Sequence, residues 1–393
     1  MPSAPSTTAR TGFNRLLLAC FLALLWAPTL DNFFALDHSR QPPENRLPVP
    51  VPRLESQNFS GLQKFIAGSE LYFNDHFGFR NKLIRWFQNW KGGLFHDRTT
   101  DKVINGQNGW LFMSELKMIE HHLGIAKFTP AQLKSWQALL EKRRDWLAAR
   151  GIKYLLVVPP DKQEIYPEFL PTWLLAATPT NRENKLDQFF RFMRVNSTVE
   201  VLDLRQTVSA AKQTAPTYLQ NDSHWNGFGS LVAAQQVVKV LSRQFPGLPP
   251  LRLEDFHWMN APTTGGDLVQ MLGTESPEKN YFTVERNVSA GDRLTFSTNN
   301  IASRLDPHGS ATVSESGLHI DTSAVVFGDS FSGRWKPFLG YSFRRIFYSP
   351  GGNREFDPQI IVQNQPQIVI NEILQRYLNT YDPLELMASD KLP

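Results

Sequence analysis

Apolar positions recur at helical spacing early in the chain and gather into short runs later on. Leu62, Phe65, Ile66, Leu71, Phe77, Leu83, Phe87 and Trp90 predict an amphipathic helix over residues 59–95, stopped at Gly92 and Gly93. Apolar residues on both sides of a turn predict a hairpin at 103–113. Thr129 as N-cap, Pro130 in the first turn and Gly151 as the stop bound a second helix. Apolar runs at 153–158, 199–204, 324–327, 345–348 and 367–370 read as buried strands. Residues 182–194, 228–245 and those from about 372 onward read as helices. Short buried strands alternating with helices predict an α/β fold with a mostly parallel sheet flanked by helices. Residues 247–321 break this rhythm. They are rich in Thr, Ser, Asn and Gly, with β-like pieces at 281–284 and 293–297, and read as a β-rich insertion that forms a rim or lid.

The N-terminus has a different pattern. Arg10 and Arg15 precede an apolar segment from Leu16 to Leu30, the layout of a secretory signal. Pro28, Asp31 and Asn32 interrupt it, and Phe33 to Leu36 extend it to the roughly 20 residues that a bilayer demands. No small-x-small cleavage site follows. Residues 1–36 therefore predict an uncleaved signal anchor, with cleavage as the alternative. The positive flank stays in the cytoplasm and the body lies outside it. Residues 37–60 carry Pro42, Pro43, Pro48, Pro50 and Pro52 and predict an extended linker. Residues 61–393 form the body.

Composition narrows the function classes. Of 393 residues, 41% are hydrophobic and 20% charged, as in ordinary globular proteins. The net charge of +4 includes no Lys/Arg stripe, so nucleic acid is not an expected partner. The single cysteine, Cys20, excludes an internal disulfide and a multi-cysteine metal site. A lipidated cysteine closes an apolar stretch, whereas Cys20 lies inside one.

Two short motifs carry candidate chemistry. Gly328-Asp329-Ser330 follows a predicted buried strand, where a tight turn presents a serine hydroxyl at the carboxyl edge of a parallel sheet. A plain turn is the competing reading. Asn221-Asp222-Ser223-His224-Trp225 places a carboxylate two residues from a histidine. A histidine can take and return a serine proton, and a carboxylate can fix its tautomer. A surface loop pair or two metal ligands are the competing readings.

Taken together, NDHFGFRNKLI (74–84), NGQNGWLF (105–112), VVPPDK (157–162), DSHWN (222–226), FGDSF (327–331) and NEILQRYL (371–378) resemble the alginate O-acetylation proteins of the AlgJ and AlgX type. Those proteins carry an SGNH-hydrolase-like domain, and in them the Asp-x-His pair precedes the serine, as here. The resemblance implies Ser330 as nucleophile, His224 as base and Asp222 as its orienting partner. It also implies a periplasmic O-acetyltransferase anchored to the inner membrane. Its acceptor would be an exopolysaccharide, and a multipass membrane O-acyltransferase would supply the acetyl group. No cofactor and no metal are implied. The chain ends soon after its last predicted helix, which favours the AlgJ type over the AlgX type with its extra carbohydrate-binding module.

The oxyanion donors are the Ser330 N–H, with Gly351 or Gly352 and Asn371 as further candidates and Asn353 as the competitor for Asn371. Trp225, Trp335 and Tyr348 are candidates for stacking on sugars. Arg334, Lys336, Arg344 and Arg354 are candidates for meeting uronate carboxylates, although a solvated basic face explains them equally. A polysaccharide deacetylase or esterase would use the same triad. A non-catalytic scaffold of an export complex would not require it.

Overall fold

The computed structural model describes residues 7–34, 36–37, 49–54, 56, 58–83, 86, 100, 102–274, 276–287, 294–299 and 310–392. The chain divides into two compact units, residues 1–98 with 269–275, and residues 99–268 with 276–393.

In the first unit, helix α1 (Thr7–Phe34) continues past Pro28. Its residues 14–34 are long and apolar enough to cross a membrane, and Cys20 is exposed on it. Helix α2 (Phe59–Asp75) is capped by Asn58, whose Oδ1 accepts the Gly61 N–H at 2.7 Å. The single helix predicted over 59–95 is broken. His76 leaves the helical region, Phe79 has φ 58°, and helix resumes at residues 80–83. The cause is a close approach: a Cβ on Gly78 would lie 2.2 Å from the Pro28 carbonyl oxygen. The predicted stop at Gly92 and Gly93 lies outside the described residues.

In the second unit, β1 (Val103–Asn105) and β2 (Leu111–Met113) pair as the predicted hairpin. The helix Pro130–Ala148 has the expected cap, a reciprocal Thr129/Gln132 box, and Gly151 adopts φ 71° beyond it. Five strands then build the predicted parallel sheet: β3 (Lys153–Val158), β4 (Val201–Asp203), β11 (Ser323–Phe327), β12 (Arg345–Tyr348) and β13 (Ile368–Glu372). Their order is β4-β3-β13-β11-β12. Alternate residues fill two cores, with Leu155, Val157, Val326 and Ile370 on one face and Leu156, Val158, Val325 and Val369 on the other.

The insertion does more than rim the site. β9 (Leu294–Asn299) and β10 (Ala311–Ser316) extend the main sheet antiparallel from β12. β5 (Phe256–Asn260) pairs with β8 (Phe282–Arg286), and β6 (Thr263–Thr264) with β7 (Pro277–Glu278). The Arg293 end of one β-like piece lies outside the described residues. The helix expected from about 372 begins at Gln375, because Asn371 and Glu372 still belong to β13, and a further helix, Pro383–Asp390, follows it.

Candidate active site

Ser330 stands just beyond the carboxyl end of β11, at the centre of the sheet, and opens the short helix Ser330–Gly333. Asp329 caps that helix, its Oδ1 accepting the Phe331 N–H at 2.8 Å. The first N–H groups of a helix have no intrahelical acceptor, so the Ser330 N–H is directed outward beside its own exposed hydroxyl. Gly328 permits the turn: a Cβ there would lie 2.4 Å from Ser332 Oγ and 2.8 Å from Glu372 Oε2.

Asp222 and His224 come from the loop between the helix Arg205–Ala211 and the helix Gly227–Leu241. His224 Nε2 is 2.6 Å from Ser330 Oγ, and Nδ1 is 2.7 Å from Asp222 Oδ1. Asp222 Oδ1 also accepts the His224 backbone N–H at 2.9 Å, which closes the two-residue spacing into a ring. Burial pushes the Asp222 carboxyl up, but the bonds and charge of His224 outweigh it and hold the group well below the usual carboxylate range. The His224 ring stacks on Phe331, with centroids 5.0 Å apart.

A second carboxylate joins them. Asp267 Oδ1 accepts the Ser223 N–H at 2.6 Å and Oδ2 accepts its hydroxyl at 2.5 Å, while Oδ2 lies 3.6 Å from His224 Nδ1. The Asp267 N–H donates to Asp222 Oδ2 at 3.1 Å. Gly265 and Gly266, at φ 108° and 124°, bring it there. A Cβ on Gly266 would lie 2.3 Å from the Asn221 carbonyl oxygen. Asp222, His224 and Asp267 are close enough to share an ion, yet each of the four carboxylate oxygens already accepts an N–H or O–H.

The loop is clamped from beneath. Buried Lys162 donates to the carbonyls of Leu219, Gln220 and Asp222 at 3.1, 3.1 and 2.8 Å. Burial lowers its amine to about 8 against the opposing pull of Asp267, Asp222 and Glu278. Glu278 accepts the N–H groups of Gln220, Asn221 and Asn280 at 2.9, 2.7 and 2.8 Å. On the serine side, Glu372 Oε2 accepts the Asp329 N–H at 2.9 Å, and Asn353 Nδ2 donates to Asp329 Oδ2 at 2.8 Å. Buried Arg376 pairs with Asp161 at 3.0 Å and faces the Phe331 ring. Burial raises the Asp161 carboxyl to about 6, although Arg376 opposes it.

Ser330, His224 and Asp222 are thus brought together, and several other sequence candidates are not. Asn371 is fully buried on the far face of β13. Its Oδ1 accepts from Arg143 Nη1 at 2.7 Å and from the Tyr154 hydroxyl at 3.1 Å. Strand alternation is the reason: Glu372 takes the face beneath Ser330, so its neighbour must take the other. Asn353, the competitor, lies on the serine side. Gly352 adopts φ 75° in a turn with open space around it, and the tight approach belongs to Gly351, packed on Glu355. Trp225, Trp335 and Tyr348 are core residues and have no face for a sugar. Trp225 alternates with His224 along an extended segment bridged to Tyr218, so one points to the serine and the other inward. Trp335 follows Phe331 by one helical turn, and the two pack with Trp225. Tyr348 shares the inward face of β12 with Ile346. Arg334 is half-buried near the end of the Ser330 helix. Lys336 bonds Thr312 Oγ1, Arg344 is exposed, and Arg354 lies over Tyr381.

Residues 103–345 match the family described as the SGNH hydrolase-like domain of acetyltransferase AlgX. A probable alginate O-acetylase AlgJ of Pseudomonas syringae is 25% identical over 183 residues, 47% of this chain and 44% of that protein. The Pseudomonas aeruginosa protein of the same description is 30% identical over 148 residues, 37% of this chain and 34% of its own length. The matched stretches thus span less than half of these curated relatives. Among solved structures, Bacillus cereus PatB1 shares the fold, with a TM-score of 0.51 at 14% identity, covering 74% of this chain and 100% of that one.

Proposed function

This chain belongs to the family of AlgX-type SGNH hydrolase-like acetyltransferase domains, and from that premise we propose that it is an O-acetyltransferase acting on hydroxyls of an exported polysaccharide through an acetyl-serine intermediate. The observation that carries the proposal is the unbroken relay from Asp222 through His224 to an exposed Ser330, at 2.7 and 2.6 Å.

In this mechanism Ser330 Oγ attacks the acetyl carbonyl of a donor while His224 Nε2 takes its proton. The negative oxygen that develops faces the Ser330 N–H, with the Asn353 amide on the same side of the sheet as a second donor. The tetrahedral species collapses, the donor's leaving group departs with the proton from His224, and acetyl-serine remains. A sugar hydroxyl then gives its proton to His224 and attacks the ester. The acetyl group passes to the sugar, and Ser330 regains its proton. Asp222 holds Nδ1–H throughout and stabilises the imidazolium formed in each half-reaction. Transfer rather than hydrolysis requires the acceptor to be held against the ester.

The AlgJ relatives' description points to alginate or a similar polyuronate as the acceptor, and Arg334 and Arg354 are the candidates to supply charge for it, whereas Arg344 precedes β12 at the opposite edge of the sheet from Ser330. Helix α1 fits a signal anchor, which supports a periplasmic body tethered to the inner membrane. Acetyl-CoA is absent from that compartment, so a multipass membrane acyltransferase is the proposed donor partner.

The test incubates the protein with a chromogenic acetyl ester, with and without oligomannuronate or cello-oligosaccharides, and follows sugar acetylation by mass spectrometry. Acetylated sugar that disappears in Ser330→Ala supports the transferase. Acetate released at one rate regardless of sugar makes it an esterase, and turnover indifferent to Ser330→Ala rejects the relay.

A further inference from the structure

Helix α2 has two unlike long faces. Gly61 and Gly68, two turns apart, form one of them. The chain that precedes the helix covers it: a Cβ on Gly61 would meet the Ser56 carbonyl at 2.0 Å, and one on Gly68 would meet the Pro52 Cβ at 3.2 Å. The opposite face is apolar and bare. Phe59, Leu62, Ile66 and Phe73 are 75%, 48%, 58% and 60% exposed. At 3.6 residues per turn these four side chains fall within an arc of about 60°. Such a stripe on a helix of 17 residues is the pattern of a surface that is covered when the protein is at work.

The position of the helix identifies its cover. The carboxyl end of α2 is fastened to the outer end of α1. Gly78 packs against the Pro28 carbonyl. Asp31 Oδ2 accepts the Phe79 N–H at 3.1 Å, and Asp31 Oδ1 accepts the Asp37 N–H at 2.6 Å. Pro28 and Asp31 lie in the last two turns of the apolar segment 14–34, toward its outer end. In a membrane this is the level at which hydrocarbon meets headgroups. Phe73 packs edge-on with Phe77 at 5.6 Å in the same collar, and Leu83 and Trp86 add exposed apolar surface just beyond it. Aromatic rings favour that level because one end can be apolar and the other wet.

We propose that α2 is an interfacial helix that lies in the bilayer surface, its Phe59–Leu62–Ile66–Phe73 stripe buried among lipid acyl chains at the outer end of α1. The inference rests on α1 spanning the membrane. The occupant of the stripe is lipid, and the glycine face against residues 52–56 stays on the water side. Together the two helices form a bent anchor. The spanning segment fixes depth, and the lying segment prevents rotation of this unit about the membrane normal.

The test uses the full-length protein with Cys20→Ser, reconstituted in bilayers of phosphatidylethanolamine and phosphatidylglycerol. Single variants Leu62→Cys, Ile66→Cys, Phe73→Cys, Lys64→Cys and Leu22→Cys each carry a nitroxide, and relaxation by oxygen is compared with relaxation by a water-soluble nickel chelate. These positions are exposed, and Phe73→Cys gives up only its ring contact with Phe77; circular dichroism verifies that the helices stay folded. Oxygen should exceed nickel several-fold at 22, 62, 66 and 73, and the ratio should invert at 64. Nickel dominating at 62, 66 and 73 while 22 remains in lipid would overturn the interfacial helix and leave the anchor standing. Protection of the stripe from both reagents would overturn it in favour of a protein cover, a second copy of the chain. Nickel access at 22 would remove the spanning helix and the inference with it.

Discussion

Asp267 Oδ2 lies 3.6 Å from His224 Nδ1, the same ring nitrogen that Asp222 engages at 2.7 Å. The two carboxylates have separate duties. Asp222 bonds the ring, whereas Asp267 bonds Ser223 and holds Asp222 through its own backbone N–H. Asp222→Asn should lower kcat by about 10² to 10⁴, because the amide favours the wrong imidazole tautomer. Asp267→Asn should lower it by about tenfold, ~1.4 kcal/mol. Steady-state kinetics of both variants across pH 5–9 on an acetyl ester check this. Equal losses would give the two carboxylates one shared role.

Asn371 belongs to the stability of the domain. Its amide oxygen accepts from Arg143, which also makes a paired contact with Asp390 through Nε and Nη2 at 2.7 and 2.8 Å. Asn371→Ala strands a donor of a fully buried guanidinium and the Tyr154 hydroxyl. The expected cost is about 3 kcal/mol, measured by urea denaturation, with the ester turnover of the folded fraction within about threefold of wild type. A loss of turnover without loss of stability would return Asn371 to the oxyanion site.

The Lys162 clamp has a pH signature. Its amine titrates near 8 in the folded protein against 10.5 when solvated. Between those values the unfolded chain holds a proton that the folded chain has released, so this group makes stability rise with pH across pH 8–10.5. Lys162→Met lacks that rise and leaves three carbonyls without their donor. The stability gap between wild type and variant should therefore widen from pH 8 to pH 10.5, by at most about 3 kcal/mol. Paired thermal melts at pH 7.5, 8.5 and 9.5 read it. A constant gap would mean that the amine titrates alike in both states.

How much of this was legible in the sequence depends on how local the cause is. The strands of the sheet were readable because a run such as Lys153–Val158 is apolar on both faces, and the Thr129 cap because its partner is three residues away. Ser330, His224 and Asp222 were readable as two short motifs. Asp267 was not, because it stands 45 positions from Asp222 in sequence within an insertion that has no period. The Gly265-Gly266 doublet was the only local sign of it. The inward direction of Trp225 and Trp335, candidates for sugar stacking, was not readable, because proximity to a motif says nothing about which way a side chain points. The break in the 59–95 helix was hidden because its cause is Pro28, some fifty residues away.

Glu372 and Gly328 set the position of Ser330 from below. Glu372 is fully buried, and burial together with the neighbouring Asp329 carboxylate pushes its own carboxyl well above the usual range. The neutral form is therefore favoured, and the group acts as an acceptor for the Asp329 N–H. A folded pKa above the solvated value lets the native state hold a proton that the unfolded chain has lost. This group therefore makes stability fall as pH rises above about 4.5. Glu372→Gln keeps the acceptor and has no proton to lose. It should turn over within about threefold of wild type and gain stability relative to it as pH rises from 4.5 to 7. Glu372→Ala leaves the Asp329 N–H unpaired over a cavity and should cost about 3 kcal/mol or more, with slower turnover as the turn relaxes. Gly328→Ala forces a Cβ to 2.4 Å from Ser332 Oγ. It should shift Ser330 and lower kcat by 10² or more, with KM little changed. If Glu372→Gln lost as much activity as Glu372→Ala, the negative charge rather than the acceptor would be the feature that matters, and the neutral-acid assignment would be wrong.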